Sequence, residues 1–158
     1  MKNKTKILWI ALAAVFTFST VACSGGGKKL NSAQELRAYL DKLPQNNSDK
    51  PAKVFMNAIN EQAIREIAAV IMSTDKYVSL DLSGSSLRAI PDYAFYDRER
   101  EKGCDKLISI ILPKRVNAIG QGAFLDCNDL KLIIPKSVTI VNGEEVSSGT
   151  YTVRSLEK

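Results

Sequence analysis

CDKLISIILPKRVNAIGQGAF at residues 104–124 is followed by CNDLKLIIPKSVTIV at residues 127–141, and the second stretch repeats the pattern of the first. The cysteines that open the two stretches are 23 residues apart, and Pro113 returns as Pro135 after 22. Leucine-like residues at fixed offsets in a period of this length are typical of solenoids, in which each turn stacks its apolar face on the next. These residues therefore predict a repeat architecture, and the rest of the chain is interpreted around it.

An earlier copy begins at residues 82–95, LSGSSLRAIPDYAF. Its Phe95 returns as Phe124 after 29 residues, which is six more than the period of 23. The charged segment DREREKG at residues 97–103 is where the extra residues fit, so we expect it to loop out of the stack at one edge. The two phenylalanines are predicted to fill the wall opposite the strands.

Each proline is preceded by a short apolar run, Ile110–Leu112 in one copy and Leu132–Ile134 in the next, and these runs predict short parallel strands. Side chains that point the same way from adjacent strands should stack in a ladder. Each turn of such a stack is stable only through its neighbours, and about three turns are near the minimum. The residues predicted to stack are Ile110 with Leu112, and Leu132 with Ile134.

The region before the repeats, residues 31–76, opens with a capping box. In this motif the Ser32 oxygen accepts from the amide of Glu35, and the Glu35 carboxylate accepts from the amide of Ser32. Apolar residues follow at helical spacing until Pro44, which cannot continue a helix. A short amphipathic helix is therefore predicted here.

A strand is predicted around residues 54–56, although an aromatic residue interrupts its alternation. Asn60 is an N-cap for a second helix, whose apolar stripe is wide enough for burial on more than one side. Residues 77–82 alternate again and predict a further strand. Together these elements form a βα unit that we expect to cover the open end of the stack.

Residues 1–22 have the three parts of a secretory signal: lysines at the start, an apolar run, and small residues before Cys23. The end of this signal, Val-Ala-Cys, resembles a bacterial lipobox, which predicts lipidation of Cys23. The alternative is an ordinary cleaved signal with an incidental cysteine. The glycine-rich residues 23–30 are predicted to be a flexible tether. Losing the three lysines of the signal changes the balance from 22 basic and 17 acidic residues to 19 and 17, or +2. This small excess gives no electrostatic argument for binding nucleic acid.

VSLDLSGSSLRAIPDYAF and the two stretches quoted first resemble the BspA-like, treponemal type of leucine-rich repeat, whose usual form is close to C-x-x-L-x-x-I-x-I-P-x-x-V-x-x-I-G-x-x-A-F. The resemblance covers residues 77–142. The third copy is one residue short before Pro135, so we interpret residues 143–158 as a degenerate cap and tail with a closing strand at 150–153. The resemblance implies an α/β fold, a short right-handed leucine-rich-repeat solenoid of about 2–3 turns with an N-terminal α/β cap.

The composition argues against catalysis. The chain has no histidine, so Ser-His-Asp and Cys-His arrangements are impossible and a zinc site lacks ligands. We therefore predict no enzymatic activity, no cofactor and no metal. Asp81 and Asp92 are better explained as a strand residue and a turn residue than as a carboxylate pair. Cys104 and Cys127 are close enough in the repeat for a disulfide in an exported protein, but two buried thiols are favoured.

Protein binding by a lipid-anchored protein of the cell envelope is the function that elimination and resemblance predict. Relatives of this repeat type are associated with adhesion to host matrix proteins and to other bacteria, so the resemblance implies adhesion at the outer membrane or cell surface. The alternative is a periplasm-facing structural or assembly lipoprotein that binds another bacterial envelope protein. A small-molecule ligand is disfavoured, because so few turns enclose no pocket of the usual size. The outward residues predicted to form the binding surface, each alternatively a solvated position, are Ser79, Asp81, Arg98, Arg100, Lys102, Ser109, Lys114, Arg115 and Lys131.

Overall fold

The computed structural model describes residues 27–141, 144–145 and 149–152. The predicted signal peptide and the predicted lipid-accepting Cys23 lie outside the described residues, as does most of the predicted C-terminal cap and tail. Within the described ranges, no helix has the length and apolar character needed to cross a bilayer.

The N-terminal part of the fold alternates strands with helices, as the sequence predicts. Each helix begins at the expected cap: the Ser32 hydroxyl accepts from the amide of Glu35 at 3.2 Å, and the Asn60 side chain accepts from the amide of Ala63 at 2.9 Å. These bonds satisfy amides that have no partner within the first helical turn. The elements in order are β1 (Lys28–Leu30), α1 (Ala33–Lys42), β2 (Ala52–Met56), α2 (Glu61–Met72) and β3 (Val78–Asp81).

The reciprocal half of the predicted capping box is wrong by one residue. The Glu35 carboxylate accepts from the backbone amide of Asn31 at 2.9 Å and not from that of Ser32. Asn31 lies just beyond the end of β1, where its amide needs an acceptor outside the sheet. The carboxylate therefore joins the start of α1 to the end of the first strand.

The predicted tether is shorter than the sequence indicates, because Lys28–Leu30 form β1 and pair in parallel with β2. Leu30 lies opposite Met56 in this pairing, and both side chains are buried. Burial of a leucine side chain contributes about 1.5–3 kcal/mol, and the backbone pairing with β2 also stabilises this short edge strand. Only the glycine-rich residues before β1 remain as a candidate tether.

The repeats build two sheets and a hairpin. Their strands are β4 (Ala89–Ile90), β5 (Tyr96–Asp97), β6 (Lys102–Gly103), β7 (Leu107–Ile111), β8 (Ala118–Ile119), β9 (Lys131–Ile134), β10 (Ile140–Val141), β11 (Glu144–Glu145) and β12 (Gly149–Thr152). The larger sheet has the strand order β1-β2-β3-β7-β9-β12, and all its neighbouring strands are parallel except β12, which runs antiparallel to β9. In the smaller sheet β4, β8 and β10 are parallel and β11 is antiparallel. The predicted closing strand is thus present and begins one residue earlier than predicted.

The core is the predicted ladder, extended on its N-terminal side by the two strands β2 and β3. Val54, Leu80, Ile110 and Leu132 occupy matching positions on β2, β3, β7 and β9, and all four are buried. On the opposite wall the rings of the two repeated phenylalanines stack with centroids 5.2 Å apart and planes at 13°. Leu112 is buried as predicted, whereas for Ile134 only the backbone is described. Inward side chains of successive copies therefore pack directly on one another.

The copy that starts at Cys104 has one residue more before its proline than the copy that starts at Cys127. Val78 pairs with Leu107, but the next residue, Ser79, pairs with Ser109, so Ile108 has no partner in β3. Ser109 in turn pairs with Lys131. The structure places the extra residue of the longer copy at Ile108, and the third copy is one residue shorter than it, as the sequence indicates. A bulge at Ile108 adds one residue to β7 relative to β3.

The charged insertion forms the hairpin of β5 and β6, which confirms that it leaves the stack. Its turn is fixed by the Asp97 carboxylate, which accepts from the amides of Glu99 at 3.0 Å and Arg100 at 3.1 Å. Gly103 closes the hairpin against the next copy, and a Cβ at this position would lie 2.3 Å from the backbone carbonyl carbon of Asp126. Glycine is required here because two backbone segments approach more closely than a side chain permits.

Ser85 joins the loop after β2 to the loop after β3. Its side chain is only 7% exposed, and its hydroxyl accepts from the amide of Ala58 at 2.9 Å and donates to the carbonyl of Met56 at 3.3 Å. A buried amide without an acceptor is costly, so this hydroxyl stabilises the junction between the N-terminal unit and the first repeat.

Substitution of Ser85 by alanine should lower the free energy of unfolding by about 1–3 kcal/mol, because the buried amide of Ala58 loses its acceptor. Urea denaturation followed by circular dichroism measures this change. Ser86→Ala is the matched control, since Ser86 is exposed, and it should alter stability by less than about 0.5 kcal/mol. Equal effects of the two substitutions would contradict the role given to Ser85.

Candidate functional site

The larger sheet has one face turned towards the core and one turned away from it, here called the outer face. Successive side chains of a strand alternate between faces, and β2 shows this directly in its alternation of buried and exposed residues. The outward residues of β2, β3, β7 and β9 whose side chains the structure describes are Lys53, Phe55, Ser79, Asp81, Ser109, Ile111 and Lys131.

The parallel register aligns four of these residues in a first row across the sheet. Lys53 pairs with Ser79, Ser79 with Ser109, and Ser109 with Lys131. We call these four residues the cationic row, because a lysine stands at each end of it. Both lysines are exposed, and within the described part of the chain neither makes a salt bridge.

A second row lies two residues further along the same strands. Phe55 pairs with Asp81, and Asp81 with Ile111. We call these three residues the apolar row, since Phe55 is 39% exposed and Ile111 is 41% exposed. Lys29 on β1 pairs with Phe55 and extends the row on one side. Two partly exposed apolar side chains on one face of a sheet are candidates for contact with a partner.

The polar residues in the middle of the outer face are engaged within the protein. The hydroxyls of Ser79 and Ser109 are hydrogen-bonded to each other across β3 and β7. The Asp81 carboxylate accepts from the amide of Ser83 at 2.8 Å and so fixes the turn that follows β3. The flanking lysines and the two apolar side chains therefore remain the groups best placed for an external partner.

The predicted site residues do not form a single surface. Ser79, Asp81, Ser109 and Lys131 lie together on the outer face, as expected. Lys114 and Arg115 are exposed in the turn after β7, and the hairpin precedes β7. Because this five-residue strand is roughly 15 Å long, the turn and the hairpin lie at opposite ends of it.

The basic residues of the hairpin have local partners. The guanidinium of Arg98 lies over the ring of Tyr93, 4.8 Å from its centroid. Arg100 forms an ion pair with Asp97 at 3.6 Å, and Lys102 with Asp105 at 3.2 Å. Acidic residues that alternate with them along the chain balance their charge, so the hairpin offers no single-sign patch.

Sequence reasoning missed Lys29, Lys53, Phe55 and Ile111. Ile111 stands in a continuous apolar run, where alternation cannot separate the inward from the outward residues. The bulge at Ile108 also shifts the alternation of inward and outward side chains along β7 by one residue. Lys53 and Phe55 were missed because their alignment with the residues of β3 and β7 depends on the pairing of β2 with β3, which is a tertiary contact.

The two cysteines of the repeats are packing residues, which confirms the interpretation as buried thiols. Both are free and buried, and the amide of Cys104 donates to the sulfur of Cys127 at 3.3 Å. The Cys127 thiol donates to the carbonyl of Phe95 at 3.5 Å. Desolvation by burial raises the pKa of each thiol from 9.0 to about 12, so both remain protonated at neutral pH.

The described residues contain no cluster of ligands able to hold a metal ion. Asp92 is committed to the fold: its carboxylate accepts from the amide of Gln121 at 2.8 Å, one copy further along. A Cβ at Gly120 would lie 2.3 Å from the same carboxylate oxygen, so the two turns are in close contact.

A cavity at the base of the hairpin, lined by Met72, Asp97 and Arg100 among others, has a volume of ≈ 140 Å³. Ligand pockets usually measure about 300–1,000 Å³.

A family model described as BspA type leucine rich repeat region (6 copies) matches residues 52–146 of the chain. The match covers 95 of the 158 residues and starts at β2, well before residue 77, where the resemblance in the sequence begins. The earlier start agrees with the sheet, because β2 pairs with β3 in the same parallel manner as β3 pairs with β7. A comparison with curated proteins found no match.

In a full chain carrying Cys23→Ala, a thiol reagent such as iodoacetamide should label neither Cys104 nor Cys127 at pH 8, because both are buried and protonated. Both should react in urea. Mass spectrometry counts the labelled thiols, and rapid labelling of the folded protein would contradict this account.

The same thiols predict a loss of stability at high pH. Since the folded-state pKa of about 12 exceeds the ordinary value of 9.0, their contribution is complete below pH 9 and disappears as the pH rises towards 12. A Cys104→Ala/Cys127→Ala variant should show a smaller decline over this interval in urea denaturation.

Proposed function

Because the chain belongs to the BspA-type leucine-rich repeat family, we propose that it is a short right-handed solenoid of about two to three turns, closed by an N-terminal α/β cap, whose outer face binds another protein. The family indicates protein–protein interaction in general. The observation that carries the finer proposal is the apolar row, in which Phe55 and Ile111 are 39% and 41% exposed on a sheet that is fully packed on its other side. The proposal includes no catalysis, since the carboxylates of Asp81 and Asp92 both accept backbone amides of the fold.

Contacts between the N-terminal unit and the repeats support the proposed cap. The Asn46 side chain both accepts from the amide and donates to the carbonyl of Tyr77, each at 2.8 Å, and so holds the loop after α1 against the start of β3. Arg65 on α2 donates to the carbonyl of Asp92 in the first repeat at 3.2 Å. A terminal unit of a repeat stack must cover the apolar face that has no further copy to pack against it.

We further propose that Cys23 carries a lipid anchor and that the protein acts at the outer membrane or cell surface, where it takes part in adhesion. Since β1 begins at Lys28, only the four residues 24–27 separate the anchor from the sheet, a reach of roughly 17 Å when extended. The N-terminal cap then stands next to the membrane and the repeats point away from it. This placement leaves the outer face open to a partner in either compartment.

Photo-crosslinking tests the binding face. Benzoylphenylalanine introduced in place of Ile111 should yield a covalent adduct with a partner protein in intact cells, since this side chain lies in the apolar row. Ile140 is the matched control, because it is the same residue type and 43% exposed but lies in β10 of the smaller sheet. Adducts are detected by gel shift and identified by mass spectrometry. Adducts from position 140 alone would place the interaction on another part of the molecule. Adducts from neither position would contradict protein binding at the outer face.

The anchor is tested with Cys23→Ala. This variant should leave the membrane fraction and lose metabolic labelling by an alkyne fatty acid, whereas Cys104→Ala/Cys127→Ala should keep both properties. Proteinase K added to intact cells should remove the anchored domain if it faces outward. Full protection would instead support the alternative, a periplasm-facing assembly lipoprotein that binds an envelope protein.

A further inference from the structure

We propose that the outer face selects an acidic polypeptide segment that also carries apolar side chains. This inference rests on the proposed function, because it names the chemistry of the partner that the same face would bind. It follows from the charges that the register gathers on the sheet, and from the apolar row that lies beside them.

The charges on the outer face are of nearly one sign. Lys29, Lys53 and Lys131 are exposed, and Asp81 is the one carboxylate among the outward residues of the described strands β1, β2, β3, β7 and β9 whose side chains the structure describes. Asp81 is already an acceptor for the amide of Ser83. The chain as a whole has 22 basic and 17 acidic residues, and the register places three lysines and one carboxylate on this face.

Acidic residues lie on other parts of the molecule. Exposed carboxylates on the two helices are Glu35, Asp41, Glu61 and Glu66, and these helices cover the core and not the outer face. At the N-terminal end of the strands, Lys106 lies over the ring of Tyr77, 4.1 Å from its centroid, while Asp129 is exposed at the equivalent position of the next copy. That edge therefore carries charges of both signs.

The spacing of the two rows suits a polypeptide that crosses the strands. Lys53 and Lys131 are three strand intervals apart, or about 14 Å, and Phe55 and Ile111 are two intervals apart, or about 10 Å. The rows are separated by two residues along each strand, or about 7 Å. Acidic side chains of a partner can therefore reach the lysines while its apolar side chains cover the apolar row.

The apolar row favours an acidic polypeptide with apolar side chains over other polyanions. A polysaccharide or an anionic lipid surface would satisfy the lysines, but the headgroups or sugars would leave Phe55 and Ile111 against polar groups. An acidic polypeptide with apolar side chains satisfies both rows, and burial of the apolar pair excludes water from the neighbouring ion pairs.

Biolayer interferometry on the full chain with Cys23→Ala tests the inference. The probes are an immobilised random copolymer of glutamate and tyrosine, polyglutamate, heparin and vesicles with anionic lipid. We expect the copolymer to bind most tightly. Lys53→Glu/Lys131→Glu should weaken this binding by about tenfold or more, and Phe55→Ser/Ile111→Ser should abolish the preference for the copolymer over polyglutamate.

The matched control is Lys42→Glu/Arg88→Glu, which makes the same change in net charge at exposed positions on α1 and before β4. It should leave the affinity for the copolymer within about twofold. An equal loss in this control, or equal binding of heparin or anionic vesicles, would overturn the inference in favour of unspecific attraction to polyanions.

The two levels of the proposal can fail separately. Crosslinking at Ile111 together with no preference for the acidic copolymer would refute the partner chemistry and leave the binding face intact. Absence of both crosslinking and copolymer binding would refute the face as well.

Discussion

The in-register stacking of short parallel strands is the constraint on which the rest of this structure depends. Val54, Leu80, Ile110 and Leu132 form one buried ladder, and no strand in it has a core of its own. Each copy is therefore stabilised by its neighbours, as expected for a quasi-one-dimensional repeat. The close approaches between copies follow from the same constraint. Gly103 and Gly120 lie where a Cβ would meet the backbone or a side chain of the adjacent copy at 2.3 Å.

The register that builds the core also builds the outer face. A shift of one residue in a strand moves every side chain to the opposite side of the sheet, so inward and outward rows cannot change independently. The bulge at Ile108 shows how the chain keeps both rows. Without this unpaired residue, Ser109 would move out of line with Ser79 and Lys131, and Ile110 would leave the ladder. The half-buried Ile108 thus takes up the one extra residue of this copy, and the residues that follow it stay in register with the neighbouring strands.

Local patterns in the sequence were sufficient for the helices, for the repeated strands of the larger sheet and for the place of the insertion, but not for the hairpin that the insertion forms. Ser32 and Asn60 have cap chemistry that acts within one helical turn, and such signals do not depend on tertiary context. The first strand was missed because Lys28–Leu30 contain one apolar residue, whose burial depends on a partner strand more than twenty residues away. Ile111 was missed for a related reason: in a run of apolar residues, the outward member is decided by register and not by composition.

The candidate site illustrates the same limit with charged residues. Arg98, Arg100 and Lys102 were conspicuous in the sequence, yet a tyrosine ring and two carboxylates engage them locally. Lys53 was inconspicuous, but pairing of β2 with β3 brings it into line with Lys131, which lies 78 positions later in the chain. Charges gathered by long-range pairing form a surface that cannot be recognised from any single segment.

The size of the outer face bears on how the proposed binding would work. Exposed ion pairs contribute about 0–1 kcal/mol each, and two partly exposed apolar side chains add only a few kcal/mol, so a single contact of this kind is weak. A lipid anchor at Cys23 would change that balance by holding many copies in one plane at a fixed distance from the membrane. A partner with several acidic segments would then bind through many weak contacts at once, and its avidity would exceed the affinity of any one face. The short connection between Cys23 and β1 favours this arrangement, because it limits the volume that each copy explores and so keeps the effective concentration of neighbouring faces high.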